Sequence, residues 1–61
     1  MKVGDLVRDK RFQYRHEIGV IKSIVARKGF SNIITVLWIN GSFAGDTTEE
    51  TLVDIRLIEQ N

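Results

Sequence analysis

Residues 33–39, seven consecutive apolar or β-branched positions followed by Asn40-Gly41, constrain the fold more than any other stretch. Such residues favour strands, and the run is too short for a stable helix, so it predicts a central β-strand. Asn-Gly suits a type I′ turn because both of its residues tolerate positive φ. The sequence therefore predicts a two-residue hairpin turn at Asn40-Gly41, with Trp38 directly opposite Phe43.

Both faces of this central strand are apolar. Even-numbered positions from Ile34 to Trp38 share one face, and odd-numbered positions from Ile33 to Ile39 share the other. A small antiparallel sheet usually leaves one face in water, so something must cover the second face. We therefore expect self-association through Ile33, Leu37 or Ile39, or through an exposed sheet edge, unless loop residues cover that face.

The rest of the chain predicts four more short strands. They are expected at residues 6–8, 18–26, 42–50 and 56–60, with a bulge at Gly19 and with Leu57 or Ile58 facing inward. Residues 52–55 predict a single 3₁₀ turn. Residues 27–32 predict a loop that turns at Lys28-Gly29, with Phe30 folded back as a plug. This pattern predicts an all-β protein, a small five-stranded antiparallel barrel formed by residues 1–61 as a single domain.

Length and composition limit the function classes. At 61 residues the chain is close to the smallest size that folds independently. Without cysteine it has neither a disulfide nor a zinc ribbon. No apolar run reaches transmembrane length, and the first residues lack the apolar core of a signal peptide. We expect no membrane association and no secretion.

Charge is distributed unevenly along the chain. Residues 1–28 carry eight basic and three acidic groups, a net charge of +5, whereas residues 29–61 carry one arginine and five acids, a net charge of −4. This asymmetry indicates an anionic partner or head-to-tail self-association. A mixed, solvated surface on a small β protein is the simpler interpretation.

The first loop, residues 9–17, interleaves cations with aromatic rings. Arg11, Phe12, Tyr14 and Arg15 are the residues that we expect to contact a protein partner. Cations mixed with rings also bind single-stranded nucleic acid through phosphates and base stacking. The candidate nucleic-acid contacts are Arg8, Lys10, Arg11, Arg15, Arg27 and Lys28. A net charge of only +1 argues against a dedicated nucleic-acid domain.

The sequence offers no convincing catalytic constellation. His16 lies in a polar stretch without an orienting partner, and the adjacent Glu49 and Glu50 should point to opposite faces of a strand. Asp46, Glu49 and Asp54 lack the spacing of metal ligands. We therefore expect a protein that is not an enzyme, with no catalytic residues, no cofactor, no metal site and no small-molecule substrate.

A series of short motifs resembles SH3-like barrels, and in particular the short barrel proteins of tailed bacteriophages such as cyanophages. The motifs are Gly4-Asp5-Leu6-Val7-Arg8, Gly19-Val20-Ile21, Val36-Leu37-Trp38, Gly41 and Val53-Asp54-Ile55-Arg56-Leu57-Ile58. The resemblance implies a non-catalytic protein-binding module, either an accessory or a virion structural protein. It also implies location in the host cytoplasm or in a virion. Nucleic-acid binding through the basic first loop is the alternative.

Type II dihydrofolate reductases are similar at the same opening, since they also begin with a Gly-Asp-x-Val-Arg motif. Their active pore uses a Val-Gln-Ile-Tyr segment on a late strand. The corresponding region here reads Gly45-Asp46-Thr47-Thr48-Glu49. The reductase is therefore the least favoured of the three interpretations.

Overall fold

Alternating side chains and glycine-containing turns produce a single antiparallel sheet. The computed structural model describes residues 1–10 and 17–58. Its strands are β1 (Leu6–Asp9), β2 (Ile18–Arg27), β3 (Phe30–Trp38), β4 (Thr47–Glu50) and β5 (Ile55–Leu57). They lie in the order β4-β3-β2-β1-β5, and every neighbouring pair is antiparallel. The prediction of an all-β, five-stranded antiparallel architecture is confirmed.

Two details of the predicted architecture are not found in the described residues. Strands β4 and β5 form the two edges of the sheet and do not pair, so the sheet is not closed into a barrel. The expected 3₁₀ turn is instead one hydrogen-bonded turn, in which the Asp54 N–H donates to the Thr51 carbonyl at 3.0 Å. One such bond is too little to form a 3₁₀ segment.

The hydrophobic core covers one face of the sheet. It consists of Val7, Ile21, Ile34, Val36, Trp38 and Ile55, with Ile24 packed against it. Ile34, Val36 and Trp38, the even-numbered residues of the second half of β3, all point to this core, as the strand alternation predicts. Burying aliphatic side chains of this size stabilises the fold by about 1.5–3 kcal/mol each.

Gly19 allows the Trp38 ring to pack against the sheet. The two residues are directly opposed across β2 and β3. A Cβ added at Gly19 would overlap the Val36 Cγ1 and lie 3.0 Å from the Trp38 ring. Gly19 pairs regularly with Val7 as well, so the prediction of a bulge at this position is wrong. The register shifts in β2 fall later, between Ile21 and Ser23 and between Val25 and Arg27.

The tight hairpin turn lies at Lys28-Gly29. Arg27 pairs with Phe30 across it, and Gly29 supplies a φ of 78°. The turn therefore lies at the predicted residues. However, β2 and β3 extend into residues 27–32, which were predicted to form a loop. Phe30 is not a plug, since its side chain is 73% exposed.

The predicted turn at Asn40-Gly41 is wrong. Asn40 lacks the positive φ that a type I′ turn needs, because only glycines have positive φ in the described ranges. An eight-residue connection, residues 39–46, joins β3 to β4 instead, and β4 begins only at Thr47. Trp38 exchanges backbone hydrogen bonds with Asp46 and Gly45 rather than pairing with Phe43.

Long-range contacts explain this difference. The Asn40 Oδ1 accepts a hydrogen bond of 2.7 Å from the Ile18 N–H at the start of β2. Gly41 has a φ of 80° and lies against the buried Glu17 side chain. Both residues are therefore held by the segment that leads into β2, and they do not form an independent turn.

The closing strand is shorter than predicted. It ends at Leu57, and Ile55 is the β5 residue that enters the core. Leu57 remains 43% exposed, and Ile58 is half-buried. No helix in residues 1–10 and 17–58 is long and apolar enough to cross a membrane.

Candidate interaction surface on the outer sheet face

The face of the sheet that points away from the core also carries apolar side chains. Leu6 pairs with Val20, which pairs with Leu37, and the Ile58 N–H donates to the Leu6 carbonyl at 2.9 Å. Directly opposed residues in an antiparallel sheet point to the same side. We call Leu6, Val20, Leu37 and Ile58 the outer apolar row. All four are half-buried, so none of them belongs to the core or is fully solvated.

Two arginines lie beside this row. Arg8 of β1 is directly opposed to Arg56 of β5, and therefore both side chains leave the outer face. A cleft of about 400 Å³ is lined by Arg8, Arg56, Leu57 and Ile58. We call Arg8 and Arg56 the arginine pair. The cleft therefore brings two arginines together with two apolar residues at the β5 edge.

The arginine pair is not neutralised within the described part of the chain. No carboxylate in residues 1–10 and 17–58 forms an ion pair with either guanidinium. Like charges directly opposed across two strands are destabilising, typically by a few tenths of a kcal/mol to about 1 kcal/mol. Lys10 continues the same edge, since its N–H donates to the Asp54 carbonyl at 2.7 Å.

The predicted basic residues do not form one patch. Arg11, Phe12, Tyr14 and Arg15 lie outside the described residues. Arg8 and Lys10 are at one end of the sheet, whereas Arg27 and Lys28 are at the tip of the β2–β3 hairpin. Arg8 pairs with Ile18, and Arg27 lies nine positions further along β2. At about 3.3 Å per residue, the path along β2 between the two basic groups is about 30 Å.

At the hairpin tip, Arg27 is engaged locally. Its Nε donates to the Ser31 carbonyl at 2.9 Å, and its guanidinium lies 5.4 Å from the centre of the Phe30 ring. A cation over an aromatic face is stabilised by the ring quadrupole. Arg27 therefore stabilises the turn, and the neighbouring Lys28 is exposed.

A buried polar chain lies at the β3–β4 side of the core. The Trp38 Nε1–H donates to the Thr48 Oγ1 at 2.8 Å, and that hydroxyl donates to the Glu50 Oε2 at 2.7 Å. Glu50 is 6% exposed, whereas Glu49 points to the opposite side, as predicted. These bonds satisfy the indole N–H inside the core, so we interpret them as stabilising the fold.

The described residues contain no group of three or more histidine, cysteine, aspartate or glutamate side chains that could hold a metal ion. Three carboxylates are nevertheless buried, those of Asp9, Glu17 and Glu50. Asp9 and Glu17 flank the segment outside the described residues, and Glu17 packs over Gly41. Asp9 is the last residue of β1, and Glu17 immediately precedes β2.

Arg56 is the surface residue that sequence reasoning did not identify. It is the only basic residue among the last 33 positions, and it appeared as an isolated charge in an acidic half. Its importance depends on the register between β1 and β5, which are distant in the chain. No local pattern carries that information.

Comparison with known proteins gives no relative for this chain. No protein-family model matches it, and no curated protein and no solved structure shows a significant similarity.

Proposed function

We propose that this chain is a non-catalytic protein-interaction module of the SH3-like barrel class. In this proposal it is a tailed-phage accessory or virion structural protein, acting in the host cytoplasm or in the virion. The observation that carries the interaction role is the outer apolar row beside the arginine pair. A face with these residues is suited to contact another molecule rather than only water.

The composition of this face favours a protein partner. Protein interfaces combine a desolvated apolar centre with arginine, and a few such residues provide most of the binding energy. The apolar row supplies such a centre, and the arginine pair lies at its edge. A second copy of the chain is one candidate partner, since both faces of β3 carry apolar residues.

The experiment compares affinity capture by the wild-type chain with capture by Leu37→Lys, followed by calorimetry with each purified captured protein. Leu37→Lys places a charge within the apolar row, and Ser31→Lys introduces the same charge at the exposed hairpin tip. We expect the partner to bind the wild type and Ser31→Lys, but to bind Leu37→Lys at least about tenfold more weakly. Equal binding by all three folded proteins would overturn the proposal.

Nucleic-acid binding is the second candidate, and one observation supports it: Arg8, Arg56 and Lys10 lie at the same end of the sheet. If these cations neutralise phosphates, affinity for single strands should fall with salt by a log–log slope of about −0.7 per phosphate. The wide separation of the hairpin-tip cations ranks this candidate below a protein partner. Neither candidate includes turnover of dihydrofolate.

A further inference from the structure

The arginine pair combines mutual repulsion with a placement that suits an anion. Arg8 and Arg56 are opposed in the sheet register, and no described carboxylate forms an ion pair with them. An anion bound between them would replace the repulsion with two attractive contacts. Guanidinium groups present planar, paired N–H donors that match the two oxygens of a carboxylate.

The walls of the cleft contribute a second feature of the site. Leu57 and Ile58 line the same space of about 400 Å³ as the two arginines. The cleft can thus accept a short acidic side chain together with an adjoining apolar side chain.

We infer that the arginine pair binds a carboxylate side chain from an acidic, partly apolar segment of a protein partner. This inference rests on the proposed function, and it adds the chemical class of the partner and the position at which it is recognised. Arg8 is half-buried, so its guanidinium is the more restrained of the two donors. Arg56 is exposed and donates from the edge strand β5.

The surroundings favour an acidic peptide over a nucleic acid. A nucleic-acid backbone needs a continuous track of cations, but the Arg27–Lys28 tip lies about 30 Å away along β2. On the outer face, β4 presents the exposed Glu49, which confines any anionic ligand to the β5 end and so disfavours an extended phosphate backbone more than a short peptide. A peptide segment needs only the cleft and the adjacent apolar row.

The test measures binding of a fluorescein-labelled peptide of alternating glutamate and valine by anisotropy at physiological ionic strength. A glutamine–valine peptide is the control for charge in the ligand. The protein variants are Arg8→Gln and Arg56→Gln. Lys28→Gln makes the same change of net charge at the exposed hairpin tip. A short oligo-dT labelled in the same way tests nucleic acid as the ligand.

We expect the acidic peptide to bind the wild type and Lys28→Gln equally, and each arginine variant about tenfold more weakly, as for loss of a charged hydrogen bond. Because Arg56 is exposed, Arg56→Gln tests the site even if Arg8→Gln does not fold. Arg56→Lys should also bind more weakly, because lysine retains the charge but lacks the planar pair of donors.

Three results would overturn the inference. They are equal binding by Arg56→Gln and the wild type, an equal loss in Lys28→Gln, and displacement of the peptide by oligo-dT that binds more tightly. If a captured protein requires Leu37 but binds Arg56→Gln as well as the wild type, the interaction function survives and the carboxylate site fails. If the acidic peptide binds as expected but no protein requires Leu37, the site stands and the proposed interaction face fails.

Discussion

At the scale of single residues, Gly41 and Gly29 illustrate two reasons why a position requires glycine, namely a positive φ and a lack of space for a Cβ. Their φ angles are nearly equal, 80° and 78°, but a Cβ at Gly41 would lie 2.8 Å from the Glu17 Oε1, whereas at Gly29 it would meet nothing within 4 Å. Gly29→Ala should therefore cost about 1–2 kcal/mol of unfolding free energy for its backbone alone. Gly41→Ala should cost distinctly more, because it also displaces Glu17.

Urea denaturation of both variants measures this difference. Gly45→Ala serves as a further control, since Gly45 has a φ of 87° and open space around the position of a Cβ. Equal losses of stability at all three positions would show that the Glu17 contact adds nothing.

Thr48 is the second residue with a specific predicted effect. Its hydroxyl connects the Trp38 indole to the Glu50 carboxylate. Thr48→Val keeps the shape of the side chain but removes both hydrogen bonds, so the unfolding free energy should fall by about 1–3 kcal/mol. Thr48→Ser retains the hydroxyl and should lose less. Thr47→Val, on the exposed side of β4, should change stability little; a loss matching that of Thr48→Val would contradict this explanation.

At the scale of secondary-structure elements, the β2–β3 hairpin should be stable in its middle and labile at its tip. The middle of the hairpin carries Ile21 and Val36 in the core, whereas Val25, Arg27 and Phe30 near the tip are exposed. Backbone amides open more readily where few apolar contacts hold the strands. Amide hydrogen exchange followed by NMR should be faster at Val25 and Ser31 than at Ile21 and Val36. Uniform protection along the hairpin would argue against this division.

The elements also show which features local sequence can predict. Alternation in β3 correctly placed Ile34, Val36 and Trp38 on one face, which the structure shows to be the core face, because side-chain period follows directly from strand geometry. Asn40-Gly41 resembled a tight turn, but contacts with Ile18 and Glu17 determine its conformation. Those contacts join segments distant in the chain, so no window around Asn40 reveals them.

The same distinction applies to the candidate surface. The two-sided character of β3 pointed correctly to apolar residues away from the core, including Leu37. The pairing of Arg8 with Arg56 requires β5 to return beside β1, and short strands of three or four residues carry little register information of their own. Counting charges along the chain therefore assigned Arg56 to the acidic half of the sequence and gave no sign that Arg8 lies opposite it.

At the scale of the whole molecule, the outer apolar row bears on oligomeric state. Leu37 is half-buried and Ile39 is 52% exposed in the described chain. We expect concentration-dependent self-association, measured by sedimentation velocity over a dilution series. Leu37→Lys should shift the chain towards monomer, because a buried charge without a partner is costly. Ser31→Lys, with the same added charge at the hairpin tip, should behave as the wild type. A wild-type chain that remains monomeric at high concentration would refute self-association through this face.

The exposed hairpin tip makes this small domain a candidate carrier for inserted peptides. Lys28 and Gly29 are exposed, a Cβ at Gly29 meets no atom within 4 Å, and the tip is far from the arginine pair. Exposed turns of this kind tolerate added residues best, and the entropy of closing a longer loop grows only slowly with length. The 39–46 connection is unsuitable because Asn40 and Gly41 hold the start of β2. A foreign epitope grafted between Lys28 and Gly29 should therefore be displayed about 30 Å along β2 from the arginine pair, leaving the epitope and the proposed carboxylate site accessible at once.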